Sequence, residues 1–492
     1  MAEHRLLIGG KWLDGASSAP ATSPSSGVTF GTVAFGDRTQ ADQAVEAAAA
    51  AFPAWSAMSA FDRAAVCAGA AEAVSSRRDE LAHALTEDQG KPLLAEAFDE
   101  VDELVGYFHM AGEEAKRLTG SVAASTVAGR RALTRRVPLG VVGVVTPWNW
   151  PYTMGAEIFA PAFAAGNTIV WVPAPTTAAC SALLTEVVAP VFEAACPGAF
   201  NFVSGLGAVV GDAVAGHRLV AGVGFIGSVS TGGLVAVRAA GKAQILELGG
   251  NGPMVILDDA DIALAAEAAL EAAYMCAGQS CTAGERFLVH AAVRQEFVEA
   301  VVEATRAQVH LGDPFDPETT MGPLNNEPTA AKFDRHVADA LARGARVCFG
   351  GRRAPGFATE LFVEPTVLDG VTPEMAIASE ETFGPVVPVV EIRSAAEALD
   401  LTNSSPFGLT AAIFTDDLER GLAFAEAARA GWVNINASTN VWETHLPFGG
   451  RAGSVSGRGR VGGSSVMDTF TEPQTVLFPA PRSLSEQRRT HG

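Results

Sequence analysis

A cysteine, a glutamate and an asparagine stand in three short segments that together could carry acyl chemistry through a thioester. Cys281 sits in Ala277-Gly278-Gln279-Ser280-Cys281-Thr282. Glu247 lies 34 residues upstream in Leu246-Glu247-Leu248-Gly249-Gly250, and Asn149 lies 132 residues upstream in Thr146-Pro147-Trp148-Asn149-Trp150-Pro151. A thiolate can attack a carbonyl carbon, a neutral amide can stabilise the resulting oxyanion, and a carboxylate can activate the water that ends the cycle. A lone cysteine would signify little, because most are buried hydrophobes. Cys67, Cys180, Cys196 and Cys348 carry no motif and are expected to be of that inert, buried kind. Cys276, five residues before Cys281, is expected to pack.

Those side chains need a frame. From 41 to 118 apolar residues recur at helical spacing, predicting helices over Ala41–Phe52, Arg63–Leu85 and Leu93–Leu118. A basic ribbon, Arg130 to Val137, alternates like a solvent-facing strand. Short buried strands follow at Val141–Thr146, Thr168–Val172, Phe200–Val203, Val223–Ile226 and Gln244–Leu248. Helices separate them at Ala178–Ala195, Ala208–His217 and Leu234–Ala240. Such a βαβ rhythm predicts a doubly wound parallel sheet with its sites at the strand carboxyl ends. A second α/β block over 251–440 has helices at Ile262–Ala277, Arg294–Val309 and Ala330–Ala342, with strands at Arg286–Val289, Val386–Glu391 and Thr410–Phe414. Val466–Phe478 reads as a tail strand. Cys281 thus falls where a helix gives way to a strand, a turn that exposes a thiol beside backbone N–H groups.

At 492 residues, two or three domains are expected. With 48% hydrophobic and 18% charged residues the chain reads as globular. A net charge of −21 argues against nucleic-acid and anionic-membrane partners. The apolar stretch from Ile158 to Val172 is broken by Pro161, Gly166 and Asn167, and Met1-Ala-Glu-His-Arg leads into no apolar run. Neither a membrane span nor a secretory signal is expected. Six cysteines without paired spacing suit the cytoplasm, and nine scattered histidines predict no metal.

Several segments resemble the signatures of the NAD(P)-dependent aldehyde dehydrogenase superfamily. They are Pro147-Trp148-Asn149, Glu247-Leu248-Gly249-Gly250, Gly278-Gln279-Ser280-Cys281 and Glu380-Glu381-Thr382-Phe383-Gly384-Pro385. Gly227-Ser228-Val229-Ser230-Thr231-Gly232 and Pro447-Phe448-Gly449-Gly450 match as well, and the likeness runs from about residue 5 to about 480. It implies an α/β fold with three parts: a dinucleotide-binding domain (1–121 and 142–250), a catalytic domain (251–440) and a small β flap for oligomerisation (122–141 and 462–480). It also implies a homodimer or homotetramer that oxidises a small-molecule aldehyde to the acid. In the roles carried over, Asn149 and the Cys281 backbone N–H bind the oxyanion, and Glu247 activates water. Trp148, Gly227, Ser228, Gly249, Glu381 and Phe383 contact the coenzyme, with Ser228 at its pyrophosphate. Trp150, Met154, Glu157, Trp442 and Phe448 face the substrate funnel.

One pattern competes. Gly222-Val-Gly224-Phe-Ile-Gly227 satisfies G-x-G-x-x-G, and Glu247 lies 20 residues beyond it, where a ribose-binding acid would stand. Its first glycines fall on a strand, however, and the fingerprint needs them in the turn after one. The better phosphate turn is Gly227 to Gly232.

The departures from the family pattern are local. Val172 and Pro175 stand where a lysine and often a glutamate usually meet the adenosine ribose, Ile158 replaces a usual lysine, and Val455 a usual glycine. Weak discrimination between NAD and NADP is expected, with NAD slightly favoured. An aromatic funnel with one carboxylate, Glu157, favours a cationic or polar neutral aldehyde over a carboxylated one, which would need an arginine. The alternative places Glu157 in a salt bridge elsewhere. Two other functions stay open: acyl transfer to coenzyme A, which Glu247 opposes, and a catalytically silent binding or structural protein, which intact Cys281, Glu247 and Asn149 oppose.

Overall fold

A computed structural model describes residues 2–479. Runs such as Val141–Val145 and Thr168–Val172 are almost wholly β-branched or aromatic and buried on both faces, as strands in the middle of a parallel sheet must be. The first sheet has eight strands, in the order Gly457–Arg458, Ala243–Leu248, Val220–Gly227, Val141–Val145, Thr168–Val172, Phe200–Phe202, Leu6–Ile8 and Lys11–Leu13. The five from Ala243–Leu248 to Phe200–Phe202 are parallel, and the other three pair antiparallel. Strand order reverses beside Val141–Val145, which opens a crevice at the carboxyl ends. The seven-stranded second sheet runs Arg346–Phe349, Thr366–Val371, Val386–Ile392, Gly284–His290, Gly252–Ile256, Thr410–Phe414 and Trp432–Ile435. Each sheet has its own apolar core.

The glycines of the competing pattern have packing roles. Gly222 and Gly224 lie inside the strand Val220–Gly227, and a Cβ on either would come within 2.6 Å of Phe470 or Ile158. Ile158 lies fully buried over Gly224.

Several elements differ from expectation. The helix over Arg63–Leu85 is two, Ala60–Ser76 and Arg78–Gln89, because Arg77 leaves helical geometry (φ −120°, ψ 25°) and closes the first with its own N–H. Ala208–His217 divides into a π turn, Gly207–Gly211, and a short helix, Asp212–Gly216. Val466–Phe478 is not one strand. Val466, Met467 and Phe470 are buried at helical spacing, so Ser465–Thr469 is a helix and only Thr471–Phe478 is extended. The small sheet is therefore Thr471–Phe478, Arg131–Pro138 and Ser121–Ala123, while Val141 belongs to the large parallel sheet. Residue 480, the end of the expected flap, lies outside the described residues. A further three-stranded sheet, Ala2–His4, Thr29–Phe35 and Ser17–Thr22, was not anticipated. Pro175–Ala195 is long and apolar enough to cross a bilayer, yet most of it is buried in protein, as a core helix is.

Candidate active site

The Asn149, Glu247 and Cys281 segments come together at strand ends of the two large sheets. Asn149 follows the Val141–Val145 strand, Glu247 stands one residue from the end of Ala243–Leu248, and Cys281 precedes Gly284–His290. The approach to Cys281 is a tight left-handed turn after the Ile262–Tyr274 helix: Cys276 (φ 51°), Ala277 (φ 54°) and Gly278 (φ 74°). Two non-glycine residues in that region carry strain, which persists only where surroundings hold it. Here Glu96 Oε1 accepts the Cys276 N–H at 2.9 Å, and the Cys276 thiol donates to the Asn149 carbonyl at 3.6 Å. Cys276 is thus buried packing, its thiol pushed up to about 12 by burial. Cys67, Cys180 and Cys196 are buried as expected; Cys348 is not, because its edge strand leaves it half-exposed.

Asn149 is buried and donates to the Gln279 carbonyl at 2.8 Å, which fixes its amide and leaves a second N–H. Among the described residues the Cys281 backbone N–H has no acceptor. Burial, then Glu247 nearby, raises the Cys281 thiol well above the usual range. The thiol needs a base. Glu247 is buried, neither of its oxygens has a hydrogen-bond partner, and burial raises its carboxyl to about 8. The glycines after it admit close neighbours. A Cβ on Gly249 would fall 2.5 Å from Glu381 Oε1, and one on Gly250 would overlap the Cys281 carbonyl. They bring the Glu381 carboxylate and the nucleophile loop against this strand.

The residues expected to hold a nicotinamide dinucleotide fit one. Glu381 is fixed by the Gly250 N–H at 2.9 Å, a carboxylate suited to ribose hydroxyls. Trp148 meets Phe383 edge-on at 5.5 Å. Phe383 takes a left-handed backbone (φ 60°) because Glu285 accepts both its N–H and that of Thr382, at 2.6 and 2.9 Å. Gly227 ends its strand, and Ser228 caps the Val229–Arg238 helix by accepting the Thr231 N–H. The Ser228 hydroxyl is thereby engaged, so the backbone N–H groups of that first turn are what an anion would meet. Val172 is buried in the apolar core and Pro175 is exposed at the end of its strand, so neither offers a charge to the adenosine ribose.

Trp150, Met154, Glu157, Trp442 and Phe448 all line one cavity of about 670 Å³ with Asn149 and Cys281; Glu247 stands behind the thiol and not on the wall. Glu157 makes no salt bridge among the described residues, and its Oε1 has no partner. Sequence reasoning missed the rest of that wall: Glu96, Asp99, Glu100 and Glu103 line the cavity too. Their spacing of three and four residues was the available signal. It also missed Gln279, which holds Asn149, and Asn440, which accepts from Ser280 and Thr282 beside the nucleophile.

The model of the aldehyde dehydrogenase family matches residues 12–476. A succinate-semialdehyde dehydrogenase of Escherichia coli named for NADP(+) is 35% identical over 474 residues, covering 95% of this chain and 96% of that one. An alpha-ketoglutaric semialdehyde dehydrogenase of Bacillus subtilis is 36% identical over 441 residues, covering 89% of each. A solved betaine aldehyde dehydrogenase of Staphylococcus aureus, in complex with NAD+, superimposes with a TM-score of 0.93 at 31% identity, covering 98% of this chain and 96% of that one. A fold that brings cysteine, amide and carboxylate together beside a dinucleotide crevice, matched along nearly its whole length, leaves one reading: the chain belongs to the aldehyde dehydrogenase family, oxidoreductases that convert aldehydes to acids with NAD or NADP.

Proposed function

We propose that Cys281 is the nucleophile of this oxidation, Glu247 its base, and Asn149 with the Cys281 N–H its oxyanion site. The observation that carries the reading is that Asn149 and Cys281 line one cavity while Glu247, from a third strand end, lies buried against the Cys281 thiol. Glu247 takes the thiol proton, and the sulfur bonds to the aldehyde carbon. The oxygen that becomes negative accepts from the free Asn149 N–H and the Cys281 N–H. The coenzyme, when bound, supplies the hydride acceptor that turns this adduct into a thioester. Glu247 releases that first proton to solvent; water then attacks the thioester carbon while Glu247 takes its proton, and as the C–S bond breaks this proton passes to the sulfur, releasing the acid and restoring the thiol. Glu247 at the thioester supports hydrolysis over transfer to coenzyme A.

Neither Pro175 nor Val172 supplies a charge that selects, so the enzyme discriminates weakly between NAD and NADP, with NAD slightly favoured in the cell. The chain forms homodimers or homotetramers through the small sheet, whose two outer strands are unpaired and expose Val122, Leu477 and Phe478. Six free thiols suit the reducing cytoplasm.

A label decides the central assignment. After brief incubation with aldehyde and coenzyme, mass spectrometry should find the acyl group on the peptide containing Cys281, and Cys281→Ser should abolish turnover with or without added coenzyme A. Acyl on Cys276, or product that requires coenzyme A, would refute it.

A further inference from the structure

The helix Phe98–Lys116 and the π turn Leu93–Ala97 before it present Glu96, Asp99, Glu100 and Glu103 to the cavity that holds Cys281. Glu157 faces them from the helix Thr153–Ala164, and Glu271 joins from Ile262–Tyr274. The acids are graded: Asp99 and Glu271 are exposed, Glu96 and Glu103 half-buried, Glu100 and Glu157 buried. Among the described residues no arginine, lysine or histidine lines this cavity. The one buried cation nearby, Lys91, is paired with Glu100 and lies 4.2 Å from the centre of the Trp150 ring, so it is spoken for.

Acidic residues on a helix are usually just solvated. Here a second observation sets them apart. Glu157 Oε1 and Glu96 Oε2 are buried without a well-formed hydrogen bond, and the Tyr107 hydroxyl behind them lies within reach of Glu157 and Glu103. Polar atoms left unpaired inside a protein are costly, and each such group calls for an explanation. Trp150, Trp442 and Phe448 add aromatic faces, which attract a cation and not an anion.

We infer that this wall is a subsite for a positively charged group, and that the enzyme's substrates are aldehydes bearing an ammonium group a short chain away from the carbonyl. The aldehyde carbon lies at Cys281 while the cation meets Glu157 and Glu103, with Asp99 and Glu271 drawing it in from the mouth. Burial and the neighbouring acids raise the Glu157 carboxyl in the empty cavity. An entering ammonium supplies the opposite charge that restores the carboxylate, whereas an entering carboxylate opposes it. Relatives named for semialdehydes act on aldehydes that end in a carboxylate, which this wall holds no cation to receive.

The test uses the full chain and three aldehydes of matched length, ending in trimethylammonium, in its uncharged tert-butyl isostere, or in a carboxylate. Wild type should show kcat/KM for the cation at least about tenfold above the isostere, with the carboxylate lowest. Glu157→Gln should cut the cation-to-isostere ratio mainly through KM; Glu103→Gln, at a half-buried position, should do the same if the first variant folds poorly. Equal use of cation and isostere, or preference for the carboxylate, overturns the inference. It rests on the proposed oxidation at Cys281, whose failure looks different: all three aldehydes inert, or turnover that survives Cys281→Ser.

Discussion

Glu247 must be ionised when water attacks the thioester, yet burial raises its carboxyl to about 8. A protonated carboxyl cannot take a proton from water, so kcat should rise with pH up to and through about 8, and that rise should vanish in Glu247→Gln. The same variant should form some NAD(P)H in the first cycle, more slowly than wild type because the thiol has lost its base, while steady turnover falls about 10²–10⁴-fold. A variant with intact kcat and weakened coenzyme binding would make Glu247 a coenzyme ligand instead. Cys281, Glu247 and Asn149 were legible because each sits inside a contiguous segment whose neighbours have local jobs in the same turn. The acidic wall was not, since its carboxylates come from three separate helices and Glu157 alone stood beside a motif. Acids recurring every three or four residues from Glu96 to Glu103 look like a solvent-facing stripe until the fold turns that stripe inward.

Strand ends and the turns after them set how closely the reacting groups approach. Gly250 brings the strand of Glu247 against the carbonyl of Cys281, with no space for a methyl group. Gly250→Ala should push nucleophile and base apart and depress kcat by about 10²-fold, the cost of an ångström of misplacement, in a protein that still folds. Normal kcat in that variant would mean the contact is incidental. At the end of the Thr168–Val172 strand, Pro175 neither binds ribose hydroxyls nor repels a phosphate. Wild-type kcat/KM for NAD and NADP should differ by less than about 100-fold, and Pro175→Glu should depress NADP use far more than NAD use. An unchanged ratio would shift the preference to another residue. Most strands could be read from their unbroken β-branched runs. The helix boundaries could not. Alanine-rich sequence carries the same periodicity through Arg77 as on either side of it, and only the turn of Leu81 and Leu85 into the core reveals the break.

The whole molecule stores a pH dependence separate from catalysis. Burial raises Asp88 to about 6, Glu96 and Glu103 to about 7, and Glu247 to about 8, and it raises Glu157 as well. Each would ionise near pH 4 in the unfolded chain, so between those values the folded state holds more protons than the unfolded one. Their contribution is complete below about pH 4 and fades as pH rises through about 6 to 8, so Tm should fall from about pH 6 to about pH 8.5. A Tm that climbs over that range would show the acids ionised in the fold. One further consequence lies in the chain's path. The first sheet is closed at its edge by Gly457–Arg458, and its core takes in Val466, Met467 and Phe470, about two hundred residues beyond its last parallel strand. During synthesis the domain begun first is therefore the last to be sealed, and it waits, with Gly222 facing an empty place for Phe470, until the other domain has emerged. A ribosome that stops at residue 455 should release a chain whose 251–440 half resists protease while its 2–250 half is cut.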